Sequence, residues 1–338
     1  MYKVSVLIPI YKVENYIEKC ARSLFSNTIA YDCEFIFTND CTPDSSMKIL
    51  ERVVKDFPGL KDNIKILNHK TNMGIGATRN TGFNKATGEY VICTDSDNYV
   101  EPDYLEVLYE EAKKGNYDVV SCDFFVEDEN GEKFQNDKND IFYNNYDKNL
   151  EAYLNRKITS FLWNKLIKRD FLQAHNIFWD NNVTMLEDML FLTKVFCNKP
   201  SAVYVSKNLY HYLKRKGSYC HSVATGKTAD SVELALSQMY ECMNKKEVSV
   251  FCDSFYKLVC WRKYDLLQRG TNVAQKKALK MLYKANSYVD KENIKSFYYN
   301  IIKISTFSCS LAYCLLHFFF LSKCLLRRIN YRDYVEKV

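Results

Sequence analysis

The sequence has little glycine and little proline, with 10 Gly and 5 Pro among 338 residues. This scarcity excludes collagen-like chains and low-complexity linkers, which are rich in both residues. The 13 cysteines are spread along the chain without a Cys-x-x-Cys pair, so we expect no disulfide framework. Scattered thiols are typical of the reducing cytoplasm, where we expect the protein to reside. No charged region and cleavage site precede the first apolar stretch, so no signal peptide is predicted.

Motifs that bind phosphate in other folds are also missing. The chain contains no GxxxxGK(S/T), which excludes a P-loop. Gly74 and Gly76 resemble the start of GxGxxG, but Arg79 occupies the position of the last glycine and the stretch follows the third predicted strand. A dinucleotide-binding fold is therefore not expected. The glycine-rich loop with which sugar nucleotidyltransferases begin is replaced by Pro-Ile-Tyr-Lys at residues 9–12.

The net charge is modest, at +6, and residues 301–338 contribute +4 of it. Nucleic-acid binding is not expected, because the charge is mild and forms no stripe interleaved with aromatic residues. The basic residues flank residues 304–322, a mostly apolar run that contains no Asp, Glu, Lys or Arg and one histidine, His317. Three interpretations stay open for this run: a helix lying in an anionic membrane surface, a helix buried on the domain, and a span near the lower length limit for a bilayer.

Apolar runs alternate with amphipathic stretches through the first 125 residues. Strands are predicted at residues 4–8, 34–37, 64–67, 90–93 and 118–121. Helices are predicted at residues 16–25, 43–57, 76–86 and 102–114. We expect Pro9 to end the first strand. This alternation predicts an α/β protein with a mainly parallel, doubly wound sheet.

The pattern weakens after residue 125. Residues 127–149 are polar and rich in Asn and Asp, which predicts a loop. A helical section is expected from about Leu150, and residues 228–302 are expected to be mostly helical. We therefore predict one domain over 1–225, with a nucleotide-binding half of about 1–125 and an acceptor half of about 126–225. A helical region over 226–338 would follow it.

The predicted sheet gathers polar residues at one edge, because ligands of open α/β sheets bind beyond the carboxyl ends of the strands. Pro9 and Tyr11 follow the first strand, and Asn39 and Asp40 follow the second. Asp-Ser-Asp at residues 95–97 follows the fourth. Topology alone would thus bring an aromatic ring and three carboxylates together.

Asp95 and Asp97 are the candidate metal ligands. On an extended segment, residues two positions apart face the same way, so both carboxylates could point at one ion. Hard oxygen donors suit Mg²⁺ or Mn²⁺. Such a cation could bridge a diphosphate and neutralise its charge as a bond to phosphate breaks. Isolated Asp-x-Asp triplets also cap helices or bind nothing, and the position directly after an apolar strand is what favours the metal.

Four motifs in this order make the first 125 residues resemble the family 2 glycosyltransferases, which have the GT-A fold. They are VLIPIY at residues 6–11, TNDCTPDS at 38–45, NMGIGATRNTG at 72–82 and TDSD at 94–97. The resemblance implies an inverting transferase that uses a nucleotide diphosphate sugar and a divalent cation, Mn²⁺ or Mg²⁺. Asn39 stands where many relatives have a second Asp, and this departure leaves Asp40 intact.

The resemblance implies a role for each nucleotide-binding candidate. Tyr11, after Pro9, would flank the nucleotide base. Asp40 would accept a hydrogen bond from the base, with Arg79 close by. From the residues alone, Tyr11 could instead end a strand in the core, Asp40 could cap the helix that follows, and Arg79 could be a solvated charge.

The resemblance also implies the metal and catalytic groups. Asp95 would reach the ribose or the metal, and Asp97 would bind the metal directly. Glu187 and Asp188 resemble the Glu-Asp motif that supplies the general base, which takes the proton of the acceptor hydroxyl. We assign Asp188 as the base and Glu187 as its support. Acidic residues in a first helical turn also favour the helix dipole without any catalytic role.

Two further stretches, residues 163–166 and 210–218, resemble segments of bacterial surface-polysaccharide enzymes. Trp163 would line the acceptor site. The cationic candidates for the diphosphate or the acceptor are Lys165, His211, Lys214 and Arg215, which would clamp the leaving diphosphate when a loop closes. A core indole and a solvated basic turn are the simpler interpretations. The QxxRW motif of polymerising relatives is absent, so a processive synthase is not expected.

The sequence therefore predicts an inverting glycosyltransferase that moves a sugar, most simply from a UDP-sugar, to an acceptor hydroxyl during surface glycan synthesis. Its partners would be the donor and a glycan or lipid-linked acceptor. If residues 304–322 lie in a membrane surface, the C-terminus would contact the inner face of the cytoplasmic membrane. The alternative is a non-catalytic scaffold of the same fold that binds a nucleotide sugar.

Overall fold

The structure is a computed structural model that describes residues 1–128, 131–135, 140–214, 223–245, 252–291 and 294–327. The chain divides into two compact units, residues 1–216 and residues 217–338. The first unit is built on one sheet, and the named elements of the second are all helices. The division of the chain into a nucleotide-binding half and an acceptor half stays a prediction.

Nine strands form the sheet in the described part of the first unit. They are β1 Val4–Ile10, β2 Cys33–Asn39, β3 Ile64–Asn68, β4 Tyr90–Cys93, β5 Tyr99–Val100, β6 Val119–Glu127, β7 Lys133–Gln135, β8 Lys165–Lys168 and β9 Ala202–Leu213. Their order is β3-β2-β1-β4-β8-β6-β9-β5, and β7 pairs with β6. Three of the nine, β5, β7 and β8, run against the other six. The sheet is mostly parallel, which confirms the predicted fold class.

Seven helices accompany the sheet in the described residues of this unit. They are α1 Ile17–Phe25, α2 Ser46–Asp56, α3 Ile75–Phe83, α4 Tyr104–Gly115, α5 Tyr146–Leu154, α6 Arg169–Ala174 and α7 Glu187–Cys197. Phe25 of α1 packs edge-on against Phe35 and Phe37 of β2, with ring centroids 5.2 and 5.8 Å apart. On the other face, α3 approaches so closely that a Cβ on Gly82 would meet Leu7 at 3.4 Å. Helices on both faces explain why β1 is buried along its whole length.

The first four predicted strands and the helices between them lie close to their predicted positions. One prediction about them is wrong, because β1 continues through Pro9 to Ile10. Pro9 pairs with Thr38 of β2, whereas β4 pairs with β1 only as far as Leu7. The missing N–H of Pro9 therefore interrupts no bond to β4.

The prediction for residues 127–168 is wrong in part. β7 lies within the stretch expected to be a loop, and β8 follows α5 where a helical section was expected. β9 is the longest strand among the described residues and pairs with β6 over most of its length. These strands are stabilised by pairing with residues far away in the chain, which local periodicity does not report.

The second unit contains α8 Gly226–Lys245, α9 Cys252–Arg269, α10 Asn272–Lys280, α11 Ser296–Ser305 and α12 Cys309–Arg327. The apolar run over 304–322 is therefore not one helix, because α11 ends at Ser305 and α12 begins at Cys309. Phe297 of α11 stacks on Phe319 of α12, with ring centroids 3.8 Å apart. Within the described part of the chain, no helix combines the length and apolarity needed to cross a membrane.

Candidate active site

Asp40 holds the turn that begins α3. It follows β2 directly and is buried, with a relative exposure of 3%. Its Oδ1 accepts a hydrogen bond from the Met73 N–H at 2.8 Å, and its Oδ2 accepts one from the Gly74 N–H at 2.9 Å. His69 Nδ1 lies 2.7 Å from Oδ1, and Nε2 of the same ring lies 2.9 Å from Thr81 Oγ1. The carboxylate is thus already engaged by the protein, which sequence reasoning did not foresee.

Asp40 is also not the cap of the next helix. α2 begins at Ser46, whose N–H and hydroxyl both donate to Asp44 Oδ1, at 3.2 and 2.6 Å. Gly74 sits at the N-terminus of α3 with φ of 87°, a conformation that favours glycine. The pairing of Asp40 with this turn fixes where α3 starts.

Residues 95–98 form a tight turn, with the Asn98 N–H donating to the Asp95 carbonyl at 3.2 Å. The prediction that Asp95 and Asp97 lie on an extended segment is therefore wrong. Ser96 between them is buried and donates to the Pro9 carbonyl at 2.6 Å. The Asp95 N–H donates to the Tyr210 hydroxyl at 3.2 Å. The charges of both Asp95 and Asp97 raise the pKa of the Tyr210 hydroxyl, after burial as the main cause.

The turn still brings both carboxylates to the predicted edge of the sheet. Both side chains are partly exposed while Ser96 is buried. Asp40 is next to this region, since its N–H donates to the Ile10 carbonyl at 3.0 Å, at the end of β1. The carboxyl ends of β2, β1 and β4 are adjacent in the sheet. Topology thus gathers these three aspartates as the sequence indicated.

Arg79 is the central cation of the site. Its side chain is only 3% exposed, so it is not a solvated charge. One terminal nitrogen binds Asp188 Oδ1 and lies 3.5 Å from Glu187 Oε1, and the other lies 3.4 Å from Asp95 Oδ1. The three carboxylates raise the pKa of the guanidinium against the opposing effect of burial. A buried arginine that joins carboxylates from separate elements defines the centre of this site.

Glu187 and Asp188 begin α7. The residue before them, Leu186, has a φ of 68°, in the left-handed region, which costs a non-glycine residue about 1 kcal/mol. This backbone turn points both carboxylates at Arg79. Burial raises the pKa of the Asp188 carboxyl to about 8; Arg79 opposes the rise, and Glu187 and Asp95 add to it. The pKa of Glu187 is also raised, mainly by burial.

Asn80 connects the helix of Arg79 with the segment that leads to α7, a role that sequence reasoning missed. Its Nδ2 donates to the Trp179 carbonyl at 2.9 Å, and its Oδ1 accepts from the Trp179 N–H at 3.1 Å. The Trp179 ring stacks on Phe191 of α7, with centroids 4.1 Å apart. Asn80 lies in the motif over residues 72–82, beside Arg79. This position was the only feature of the sequence that could have indicated its structural role.

Tyr11 lies just beyond β1 and is 42% exposed, so it is not a core residue. The Lys12 ammonium lies 5.3 Å from the centroid of its ring. Pro9, two residues earlier, is buried and contributes its carbonyl to Ser96. An exposed aromatic face at this edge is what a flat heterocycle could stack against.

Trp163 lies in the hydrophobic core, and the structure does not support its predicted place in an acceptor site. It is 3% exposed and stacks on Tyr210, with centroids 4.3 Å apart. Phe124 packs edge-on against it at 4.7 Å, and Phe161 stacks on it at 4.6 Å. The indole is enclosed by aromatic rings, so the simpler interpretation as a core residue is correct.

Lys165 is fully buried, and its predicted contact with substrate is wrong. Its ammonium lies 3.0 Å from Asp140 Oδ2 and 2.8 Å from Thr159 Oγ1. It also donates to Asn164 Oδ1 at 2.9 Å and to the Phe161 carbonyl at 3.2 Å. These acceptors engage all three N–H groups, so none is left for a phosphate.

The predicted basic clamp is not assembled by the described residues. His211 is 1% exposed, stacks on Tyr99 at 4.0 Å and places Nε2 2.6 Å from Glu101 Oε1. Burial lowers the pKa of this histidine, so it is a poor partner for a phosphate. Lys214 is exposed just beyond β9, where its N–H donates to the Glu127 carbonyl at 2.8 Å. Arg215 lies outside the described residues.

Asp95 and Asp97 could supply only two of the ligands of a divalent cation. Across the described ranges, no group of three His, Cys, Asp or Glu side chains is arranged to hold a metal. A site with two carboxylates suits Mg²⁺ or Mn²⁺, which keep several waters and take further oxygens from a phosphate.

Residues 5–175 match the sequence model of the glycosyl transferase family 2. EpsH of Bacillus subtilis, named as a glycosyltransferase, is 33% identical over 215 residues, which are 62% of this chain and 60% of EpsH. The cholesterol galactosyltransferase of Borreliella burgdorferi is 30% identical over 271 residues, covering 76% of this chain and 72% of that enzyme. The matched part of the chain thus spans about three fifths of EpsH.

Solved structures share the fold. Staphylococcus aureus TarS, residues 1–349 in complex with UDP-GlcNAc, superposes with a TM-score of 0.68 at 18% identity, over 97% of this chain and 93% of the other. The mannosyltransferase PcManGT of Pyrobaculum calidifontis, in complex with GDP-Man and Mn²⁺, superposes with a TM-score of 0.56 at 14% identity, over 93% and 87%. The first unit therefore has the fold of these sugar-nucleotide complexes.

Proposed function

The chain belongs to glycosyl transferase family 2, and we propose that it transfers a sugar from a nucleotide diphosphate donor to an acceptor hydroxyl. The observation that supports this most is the position of Arg79, which binds Asp95 at the end of β4 and Asp188 at the start of α7. A donor-side carboxylate and a candidate base thus share one centre. We take the nucleotide to be uridine diphosphate, the nucleotide of the TarS complex.

On the donor side, Asp95 and Asp97 would hold Mn²⁺ or Mg²⁺, as PcManGT was solved with Mn²⁺. Bound there, the cation would neutralise the charge that develops on the leaving diphosphate. Tyr11 would offer its exposed ring to the base. Asp40 would act through the turn at residues 73–74, because its carboxylate oxygens already accept bonds from that turn.

On the acceptor side, Asp188 would be the general base of a single displacement. The acceptor oxygen attacks the anomeric carbon, the bond from that carbon to the diphosphate oxygen breaks, and Asp188 takes the hydroxyl proton. One displacement inverts the configuration of the anomeric carbon. Once it is ionised, a carboxylate with a raised pKa accepts a proton more readily than an ordinary one. Glu187 would support Asp188 through their shared contact with Arg79.

The experiment that tests this function has two parts. Thermal unfolding is followed with a panel of UDP-sugars and GDP-sugars, with and without Mn²⁺, and the stabilising donor is then incubated with candidate acceptors. We expect one donor to raise the Tm only when Mn²⁺ is present, and we expect proton NMR of the product to show the opposite anomeric configuration. A product that retains the configuration of the donor contradicts the single displacement.

A non-catalytic scaffold that binds a nucleotide sugar is the second candidate. The feature that favours it is the bond between Arg79 and Asp188, which engages the carboxylate that would serve as the base. A scaffold would be stabilised by a donor without ever consuming it, whether or not an acceptor is present. Release of the nucleoside diphosphate at a rate abolished in Asp188→Asn would exclude the scaffold.

We further propose that the helical unit contacts an anionic membrane surface, where a lipid-linked glycan acceptor would be found. α12 buries Ala312, Leu316 and Phe320 against its own unit. Three apolar side chains at helical spacing remain exposed on α12, Leu311 (53%), Leu315 (39%) and Phe318 (73%), and Phe307 (91%) is exposed in the link just before the helix. Exposed apolar side chains of this kind in a basic unit suit partial insertion among anionic lipids.

A further inference from the structure

The helical unit contains a cavity of about 400 Å³ that the proposed transfer does not use. Its lining consists of three tyrosines and three other polar residues: Tyr256, Tyr283, Lys284, Ser287, Tyr288 and Thr306. The volume falls in the range of small-molecule sites, about 300 to 1,000 Å³. A lining made of aromatic rings and polar groups is suited to sugars, which present apolar ring faces and hydroxyl edges.

A strained turn builds this pocket. Leu282 has a φ of 37°, in the left-handed region, which is unfavourable for a side chain branched at Cγ. Residues 283–288 then form a six-residue 3-10 helix, longer than most 3-10 helices. The turn leaves the Tyr283 ring 59% exposed and sets Tyr288 4.9 Å from Tyr256. Strain of this kind is concentrated at functional sites in other proteins.

The surroundings of the pocket are positively charged. Lys263 is 1% exposed and donates to Asn286 Oδ1 at 2.6 Å, and Asn286 precedes the lining residue Ser287. Burial lowers the pKa of Lys263 to about 8, and the nearby Glu233 charge opposes this, but no carboxylate of the described residues lies within ion-pair distance of its ammonium. Lys284 lies in the lining itself. Lys303 donates to the Ser287 carbonyl at 3.2 Å.

This local charge follows the composition of the unit. Residues 217–338 hold 19 Lys and Arg against 10 Asp and Glu, a net charge of +9, whereas residues 1–216 have a net charge of −3. A buried ammonium without a carboxylate partner favours a nearby anion, because the interior screens its charge poorly. Lysines also hold phosphate groups in many sites.

We propose that this pocket binds an anionic saccharide, with the tyrosine rings against the sugar and Lys284 and Lys303 at its phosphate or carboxylate. Its place in the reaction rests on the proposed function: the saccharide is a unit of the acceptor glycan, and it is bound by residues of the helical unit. Acceptors without an anionic group would gain nothing from the pocket.

The test measures binding of fluorescently labelled oligosaccharides to the full chain by anisotropy, with a poly(ribitol phosphate) oligomer, a hyaluronan oligosaccharide and a neutral dextran oligosaccharide as probes. We expect at least one anionic probe to bind and dextran not to bind. Tyr283→Ala and Lys284→Glu should each weaken binding about tenfold or more, as loss of one stacking ring or one charge contact does. Lys227→Glu, an exposed lysine at the start of α8, makes the same charge change and should leave binding within about twofold.

The outcomes separate this pocket from the transfer reaction. Equal weakening by Lys284→Glu and Lys227→Glu would mean that only the general charge of the unit attracts the probe, and would overturn the proposal. Displacement of the probe by inorganic phosphate as effectively as by free oligosaccharide would also overturn it, since the sugar would then play no part. Release of UDP from the donor without acceptor is measured in parallel. If the chain binds the probe but never consumes a donor, the pocket proposal stands and the proposed transferase function is rejected. If the chain consumes a donor but does not bind the probe, only the pocket proposal is rejected.

Discussion

Asp95 and Asp188 bind different terminal nitrogens of one buried guanidinium, that of Arg79. Asp95 belongs to the turn after β4, and Asp188 belongs to the first turn of α7. The Arg79 side chain thus connects the two elements. Loss of this connection should affect catalysis and folding together.

Arg79→Lys should lower kcat/KM for donor consumption by roughly tenfold to 100-fold. The ammonium keeps the charge but lacks the planar fork, so it cannot hold both carboxylates at once. The measurement is steady-state release of the nucleoside diphosphate. Arg22→Lys is the matched control, because Arg22 also joins two carboxylates, Glu18 and Asp56, at an exposed position. Equal losses in both variants would show that Arg79 has no special role.

Asp97→Ala should abolish donor hydrolysis, and EDTA should abolish it in the unchanged chain. The reason is that two carboxylates supply the protein's share of the cation shell, and one of them does not suffice. Activity is measured as UDP release with Mn²⁺. Asp62→Ala, which removes an exposed carboxylate, should keep full activity. Equal turnover in Asp97→Ala and in the unchanged chain would end the metal hypothesis.

The pH dependence of stability should change in Asp188→Asn. In the folded chain the pKa of Asp188 is raised to about 8, whereas an unfolded Asp titrates near about 3.9. Between these values the folded state keeps a proton that the unfolded state has released, so this group makes the free energy of unfolding fall as pH rises from about 4 to about 8. Asn does not titrate, and the variant should lose less stability over this window.

The measurement is urea unfolding of both proteins in EDTA, at about pH 5 and about pH 8. Asp147→Asn, with a side chain 59% exposed, serves as the control and should follow the unchanged chain. Parallel curves for the unchanged chain and Asp188→Asn would mean that Asp188 titrates like an exposed carboxyl.

Asp40→Ala should destabilise the first unit by about 1 to 3 kcal/mol, since it leaves two backbone N–H groups and His69 without their acceptor. The start of α3 would loosen and Arg79 would move with it, so KM for the donor should also rise. Chemical unfolding and donor kinetics report the two effects separately. A variant with normal stability and a raised KM would show instead that Asp40 contacts the nucleotide directly.

Replacing Phe307, Leu311 and Phe318 together by Ser should release the protein from vesicles that contain phosphatidylglycerol. Each apolar side chain contributes to insertion in proportion to the area it buries. Co-sedimentation measures the bound fraction. The control replaces two exposed apolar residues elsewhere in the same unit, Leu234 (38%) and Val273 (55%), by Ser. Unchanged pelleting of the triple variant would reject the membrane face.

The parallel half of the sheet could be predicted from the sequence because its elements are strongly periodic. β1, β2 and β4 are short apolar runs followed by polar residues, so their carboxyl ends, and with them Asp40 and the turn at residues 95–97, could be placed at one edge. The order of four motifs then indicated the family. Both inferences depend on signals local to the chain.

The residues assigned wrongly owe their surroundings to distant parts of the chain. Trp163 and Lys165 precede or begin β8, and His211 lies in β9; these two strands pair with β6, β4 and β5. The sequence does not show whether a basic side chain is exposed or buried. The burial of Lys165 and His211 becomes clear only from their partners in the fold, Asp140 and Glu101. The bonds of Asp40 to residues 69–74 could not be predicted for the same reason.

Asn80 bonds the main chain of Trp179 and also the side-chain oxygen of Asn181, at 2.9 Å, while the Trp179 ring packs on Phe191. The early part of the chain could therefore be joined to the later part of another relative, provided that an asparagine remains at position 80 and the recipient keeps the tryptophan and asparagine that it meets. Hybrid enzymes built with that amide should keep Arg79 and Asp188, the proposed base, in register, so that the part of the chain that selects the acceptor could be exchanged between relatives.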